Sequence, residues 1–131
     1  MNDSGIAVKE IKDFYNISIN NIIVFHDEID LNLGDVRIKK GGSHNGHNGL
    51  KSIDQFIGKN YNRVRIGVSR PSKLYEKNIN ENVSNWVLSD FTLEDKTIWL
   101  NSLIDNMSEN ISLLINNDTN NFLKNIKQIE F

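Results

Sequence analysis

The sequence predicts an α/β fold in which a mixed sheet is flanked by helices. Three observations carry that expectation. The chain has 131 residues and no cysteine, a length that supports one compact domain around a single core. Apolar residues recur at helical spacing in some stretches and form alternating or continuous β-branched runs in others. These stretches follow one another in the order α-β-β-α-β-α-α, which suits helices packed on a sheet.

The first helix is expected over residues 4–15. Ala7, Val8, Ile11, Phe14 and Tyr15 form its apolar stripe, and Asn2, Asp3 or Ser4 can cap its start. Residues 21–25 predict a strand, because Ile22-Ile23-Val24-Phe25 is a continuous run suited to burial on both faces. The strand is expected to end where the polar His26-Asp27-Glu28 begins. After a turn at Leu33-Gly34-Asp35, Val36 and Ile38 alternate with Arg37 and Lys39, as in a half-exposed strand. Gly41-Gly42-Ser43-His44-Asn45-Gly46 reads as a flexible polar loop. A helix is then expected over residues 48–57, with Leu50, Ile53, Phe56 and Ile57 inward and Gly58 as its stop. Residues 63–69 alternate again, Val64, Ile66 and Val68 against Arg63 and Arg65, until Pro71 ends the run. Residues 83–88 suggest a short helix or turn. Thr92 caps a long helix to about Asn116, and Asp118 or Thr119 opens a last one carrying Phe122, Leu123 and Ile126. The chain opens on a helix, so the strand at residue 21 lacks the partners a central strand needs, and a further N-terminal strand is expected to be missing before Met1.

Composition removes several function classes. Zero cysteines exclude disulfide frameworks, thiolate metal sites and cysteine nucleophiles. No apolar run reaches the roughly 20 residues of a membrane span, and the first residues lack a signal peptide's basic and apolar regions. The expected compartment is the cytoplasm. The net charge of −2 conceals an asymmetry: nine basic residues and a single acid, Asp54, lie between Val36 and Lys73. An excess of that kind suits a polyanion such as RNA, or a solvated basic face balanced by acidic neighbours.

Two clusters could carry chemistry. In His26-Asp27-Glu28-Ile29-Asp30, a carboxylate at a strand end can hold an imidazole in one tautomer and stabilise its charged form; an acidic capping loop is the plainer reading. In Gly41-Gly42-Ser43-His44-Asn45-Gly46-His47-Asn48-Gly49-Leu50-Lys51, glycines and amides surround a helix start where backbone N–H groups attract anions. Asn48 offers both donor and acceptor there, or serves only as the helix cap. A metal site using His26, His44 and His47 is a further possibility, although their spacing matches no common zinc pattern. Asn2, taken alone, is a helix cap.

Together these segments resemble the bacterial peptidyl-tRNA hydrolase family. The resemblance rests on Met1-Asn2-Asp3-Ser4-Gly5 before a helix, on Ile22-Ile23-Val24-Phe25-His26-Asp27-Glu28-Ile29-Asp30-Leu31, and on the basic strand with its glycine loop from Arg37 to Lys51. Arg63-Val64-Arg65-Ile66-Gly67-Val68 and the later Trp86-Val87-Leu88 with Phe91 also fit, so the likeness covers essentially all of the chain. It implies hydrolysis of the ester joining a peptide to the 3′ ribose of tRNA, with no metal or organic cofactor. A histidine acts as general base in the family. Carried over by motif, Asp27 would orient that histidine, Asn2 and Asn48 would hold the peptidyl-tRNA end, and Arg37, Lys39, Lys40, Lys51, Arg63 and Arg65 would face tRNA phosphates. The resemblance also implies a monomer, when complete, with no membrane attachment.

One part of the family pattern has no counterpart. The family begins with a Gly-Leu-Gly-Asn-Pro-Gly-like strand, a tyrosine, and the catalytic histidine in a Thr-Arg-His-Asn-like segment. Met1 aligns with an interior methionine, so about the first third of the pattern is unmatched. His26 belongs to the strand motif and His44 and His47 to the glycine loop, so none of them is the base. The expectation is a chain with little or no hydrolase activity by itself; the alternative is a non-catalytic tRNA- or RNA-binding remnant.

Overall fold

The structure is a computed structural model and describes residues 3–68 and 101–126. The expectations for Asn2, Pro71, residues 83–88 and the Thr92 cap lie outside the described residues. Within them, the elements are α1 (Ser4–Phe14), a 3₁₀ turn (Ile19–Asn21), β1 (Ile23–Glu28), β2 (Val36–Lys40), α2 (Asn48–Ile57), β3 (Asn62–Gly67), α3 (Asn101–Glu109), α4 (Ile111–Ile115) and α5 (Thr119–Ile126). The three strands form one sheet in the order β1-β3-β2.

Backbone hydrogen bonds fix the sheet's sense. Asn62 N–H bonds to Ile22 O and Val68 N–H to Glu28 O, so β1 and β3 advance together and are parallel. Gly41 N–H bonds to Tyr61 O and Gly67 N–H to Asp35 O, so β2 runs antiparallel to β3. The sheet is mixed, as the sequence predicts.

The burial of β1 is a correction. β1 was expected to be buried on both faces, yet Phe25 is 38% exposed and its best-buried residues are polar, His26 and Glu28. Among the described strands, β3 lies between β1 and β2. Val64 is fully buried on one side of its alternation, and Arg63 is buried as well. The physical reason is neutralisation: a carboxylate partner lets an arginine enter the interior where the alternation suggested solvent. β1 also runs on through His26, Asp27 and Glu28, where it was expected to stop.

The chain divides into two compact units, Met1–His26 with Ile38–Val64, and Asp27–Arg37 with Arg65–Phe131. The core of the first is Leu50, Ile53 and Tyr61, with Val8, Ile19, Ile22, Val24 and Ile57 packed against it. There α1 crosses α2 at Gly5, whose N–H donates to Ser52 Oγ at 3.0 Å. A Cβ at Gly5 would run into the Ser52 carbonyl and the Phe56 ring, so only glycine permits this approach. The rest of the expected α1 stripe is not core: Ile11, Phe14 and Tyr15 are 55%, 80% and 69% exposed. Phe56, expected inward, is 39% exposed.

In the second unit, α5 packs on α3 and α4 through buried Leu103, Met107, Leu114, Phe122 and Ile126. The expected single helix to Asn116 is broken at Asn110. The Asn110 side chain donates back to the Asn106 carbonyl at 2.8 Å, a local bond of the kind that competes with a helix. Asp118 accepts the Asn121 N–H at the start of α5, as a cap should.

Candidate functional site

The glycine loop is shaped rather than slack. Gly41 and Gly42 sit at φ +67° and +95°, a region costly for other residues. The Lys39 side chain lies across Gly42, where a Cβ would meet it. Ser43 Oγ accepts Asn45 N–H at 3.1 Å, His44 Nδ1 accepts Gly46 N–H at 3.0 Å, and His47 N–H bonds to His44 O at 2.9 Å. The loop delivers the chain to α2 in a defined conformation.

At the start of α2 the cap is His47, not Asn48. Its Nδ1 accepts Leu50 N–H at 3.2 Å, which requires that nitrogen to be unprotonated. Asn48 is therefore the first residue of the helix, exposed, with its amide not spent on capping. The His47 ring meets the His26 ring edge-on, with centroids 5.3 Å apart. Among the described residues, no three His, Cys, Asp or Glu side chains are grouped to hold a metal ion, so the histidine metal arrangement is not formed.

Arg63 overturns one expectation for the basic face. It is 2% exposed and cannot face a phosphate. Its Nη2 donates to Asp54 Oδ1 at 3.2 Å and its Nη1 to the Ser43 carbonyl at 3.2 Å. Tyr61 lies beneath the guanidinium, 4.6 Å to the ring centroid, and its hydroxyl donates to the same Asp54 oxygen at 2.6 Å. Burial, reinforced by that hydrogen bond, pushes the Tyr61 phenol well above its ordinary value. This Arg63–Asp54–Tyr61 group is what the sequence reading missed. Its signal was present: Asp54 is the single acid in the basic window.

In the second unit, Asp27 is half-buried within β1. Strand alternation turns its carboxylate to the face opposite Glu28. Glu28 is engaged elsewhere: its Oε1 accepts Arg65 Nε at 3.1 Å and Nη2 at 2.9 Å, and its Oε2 faces Asp30 N–H at 3.4 Å. Arg65 is thus committed to a carboxylate. Of the remaining basic candidates, Arg37, Lys39, Lys40 and Lys51 are exposed, and Lys40 Nζ also donates to Asn20 Oδ1 at 2.8 Å. Asp27 and Asn48 belong to different units, and Asn2 lies outside the described residues.

The chain is similar in sequence and fold to proteins already known. A family model described as peptidyl-tRNA hydrolase matches residues 1–130. The peptidyl-tRNA hydrolase of Aliarcobacter butzleri is 48% identical over 114 residues, 87% of this chain and 57% of that protein. That of Wolbachia sp. subsp. Drosophila simulans is 44% identical over 94% of this chain and 63% of its own length. The crystal structure of peptidyl-tRNA hydrolase from Acinetobacter baumannii superposes with a TM-score of 0.79 at 35% identity, covering 99% of this chain and 63% of that one. The chain therefore spans 57–63% of the length of these relatives. On this evidence the chain belongs to the peptidyl-tRNA hydrolase family.

Proposed function

We propose that the chain binds the 3′ end of peptidyl-tRNA and carries the supporting part of a site that hydrolyses its ester. The observation that carries the proposal is the family match over residues 1–130. The exposed Asn48 at the start of α2 supports its share in it. In the reaction a histidine base takes a proton from water, and the water oxygen bonds to the ester carbonyl carbon. The tetrahedral intermediate then collapses, the bond to the ribose 3′ oxygen breaks, and that oxygen takes up a proton. Asp27 would orient the histidine and stabilise its charged form. Asn48 and Asn2 would hold the aminoacyl end and place the water, and Arg37, Lys39, Lys40 and Lys51 would meet phosphates. The reading has the protein act as a cytoplasmic monomer without metal or organic cofactor.

On this reading the base is none of the three histidines, since His26 belongs to the strand motif and His44 and His47 to the glycine loop. His44 and His47 already spend Nδ1 on backbone N–H groups. Losing a general base costs about 10²–10⁴ in rate, so the chain alone should leave the ester almost intact. The same observation favours a second reading, a non-catalytic RNA-binding module with the same basic face.

The test is a binding titration with N-acetyl-aminoacyl-tRNA whose ester is replaced by a stable 3′ amide. Binding should weaken with salt, and Asn48→Ala should weaken it while leaving the affinity for uncharged tRNA nearly unchanged. A chain with no affinity for the amide analogue would refute both readings. Cleavage of the ester form at a full enzymatic rate by the chain alone would refute the claim about the base.

A further inference from the structure

Arg63 joins three separate stretches of the first unit. Nη1 reaches the Ser43 carbonyl in the glycine loop at 3.2 Å. Nη2 reaches Asp54 on α2 at 3.2 Å and the Lys59 carbonyl in the turn after α2 at 3.4 Å. One planar group thus grips α2 from the loop before it to the turn behind it. Arg63 is 2% exposed and its Nε is buried without a partner among the described residues, so the bonds of Nη1 and Nη2 carry the pairing that a buried charge needs and favour one position. The segments bonded to it inherit that position.

From Ser43 the influence runs forward through short local bonds. Ser43 Oγ holds Asn45 N–H, His44 Nδ1 holds Gly46 N–H, and His47 caps α2 immediately before Asn48. We infer that Arg63 is a positioning residue: through the Ser43 carbonyl it sets the loop that presents Asn48 to the aminoacyl end of tRNA. The inference rests on the substrate role given to Asn48 above. A lysine would keep the charge beside Asp54, but its single ammonium lacks the planar fork that reaches acceptors on separate segments.

The experiment is a double-mutant cycle on the 131-residue chain. The probe is adenosine carrying an N-acetylaminoacyl group through a stable 3′ amide. Affinity is measured for wild type, Arg63→Lys, Asn48→Ala and the double variant, together with amide hydrogen exchange at Gly46. Arg63→Lys and Asn48→Ala should each weaken binding about tenfold, and the double variant should be no weaker than either alone. Gly46 exchange should accelerate in Arg63→Lys and stay unchanged in Asn48→Ala. Wild-type affinity in Arg63→Lys, losses that multiply in the double variant, or unchanged Gly46 exchange would each overturn the inference. A wild-type chain that ignores the probe would sink the role of Asn48 instead, and the Gly46 exchange of Arg63→Lys would then decide the loop claim alone. Should Arg63→Lys fail to fold, Asp54→Asn takes its place, since it removes the charge and keeps an acceptor oxygen.

Discussion

Arg63 and Arg65 stand two residues apart in β3, and each bonds to a carboxylate, yet the two regions are built differently. Around Arg63, one guanidinium binds a loop, a helix and a turn while stacked on Tyr61, and it is 2% exposed. Around Arg65, the side chain is 22% exposed and both of its bonds go to one oxygen of Glu28. The first is a junction of three segments; the second is a clamp on the end of β1, next to Asp27. The lesson is that a charge count along the sequence cannot separate them. What matters is how many segments a cation holds and how far it is removed from water.

Mutating each arginine to an apolar residue is the sharpest way to break this comparison. Arg63→Met strands the Asp54 charge and should cost about 3–5 kcal/mol of unfolding free energy. Arg65→Met loses charged hydrogen bonds at a wetter place and should cost about 1.5–3 kcal/mol. Denaturant titrations giving equal losses would erase the distinction. Each region also has a glycine at which an added Cβ would meet backbone. Gly5→Ala would drive a methyl into the Ser52 carbonyl, and Gly67→Ala into the Asn32 carbonyl. Overpacking of this kind costs about 1–3 kcal/mol, to be read from thermal midpoints.

Smaller effects test the loop side alone. His47→Ala removes the cap on Leu50 N–H and should destabilise by about 1 kcal/mol. Tyr61 gives a pH signature. Its phenol is held above the value of the unfolded chain, so the unfolded state sheds its proton first as pH rises. Stability is complete below about pH 10 and should fall above it. Tyr61→Phe should flatten that decline in alkaline unfolding curves, and an unchanged slope would remove Tyr61 as its source.

Much of the fold was legible because its cues are local. The Gly58 stop, the inward Leu50 and Ile53, and the alternation of β2 all follow from period and turn chemistry. The position of the strands was not legible, because it depends on pairing across distant segments. Ile22 to Phe25 suggested burial on both faces by composition, whereas among the described strands it is β3, with two arginines, that has a neighbour on each side. Arg63 looked solvent-facing for the same reason, since its partner Asp54 lies nine residues away on another element. At the candidate site, motif likeness singled out Asp27 and Asn48, but the capping role of His47 needed the backbone conformation of the loop.

The most direct test of the central claim is a single-turnover assay on N-acetyl-aminoacyl-tRNA. It compares the 131-residue chain with a fusion that places the family's Gly-Asn-Pro-Gly strand and its histidine segment ahead of Met1. The chain alone should leave the ester at its background rate, and the fusion should cleave it at least about a hundredfold faster. Equal rates in the two proteins, both fast or both at background, would contradict the account.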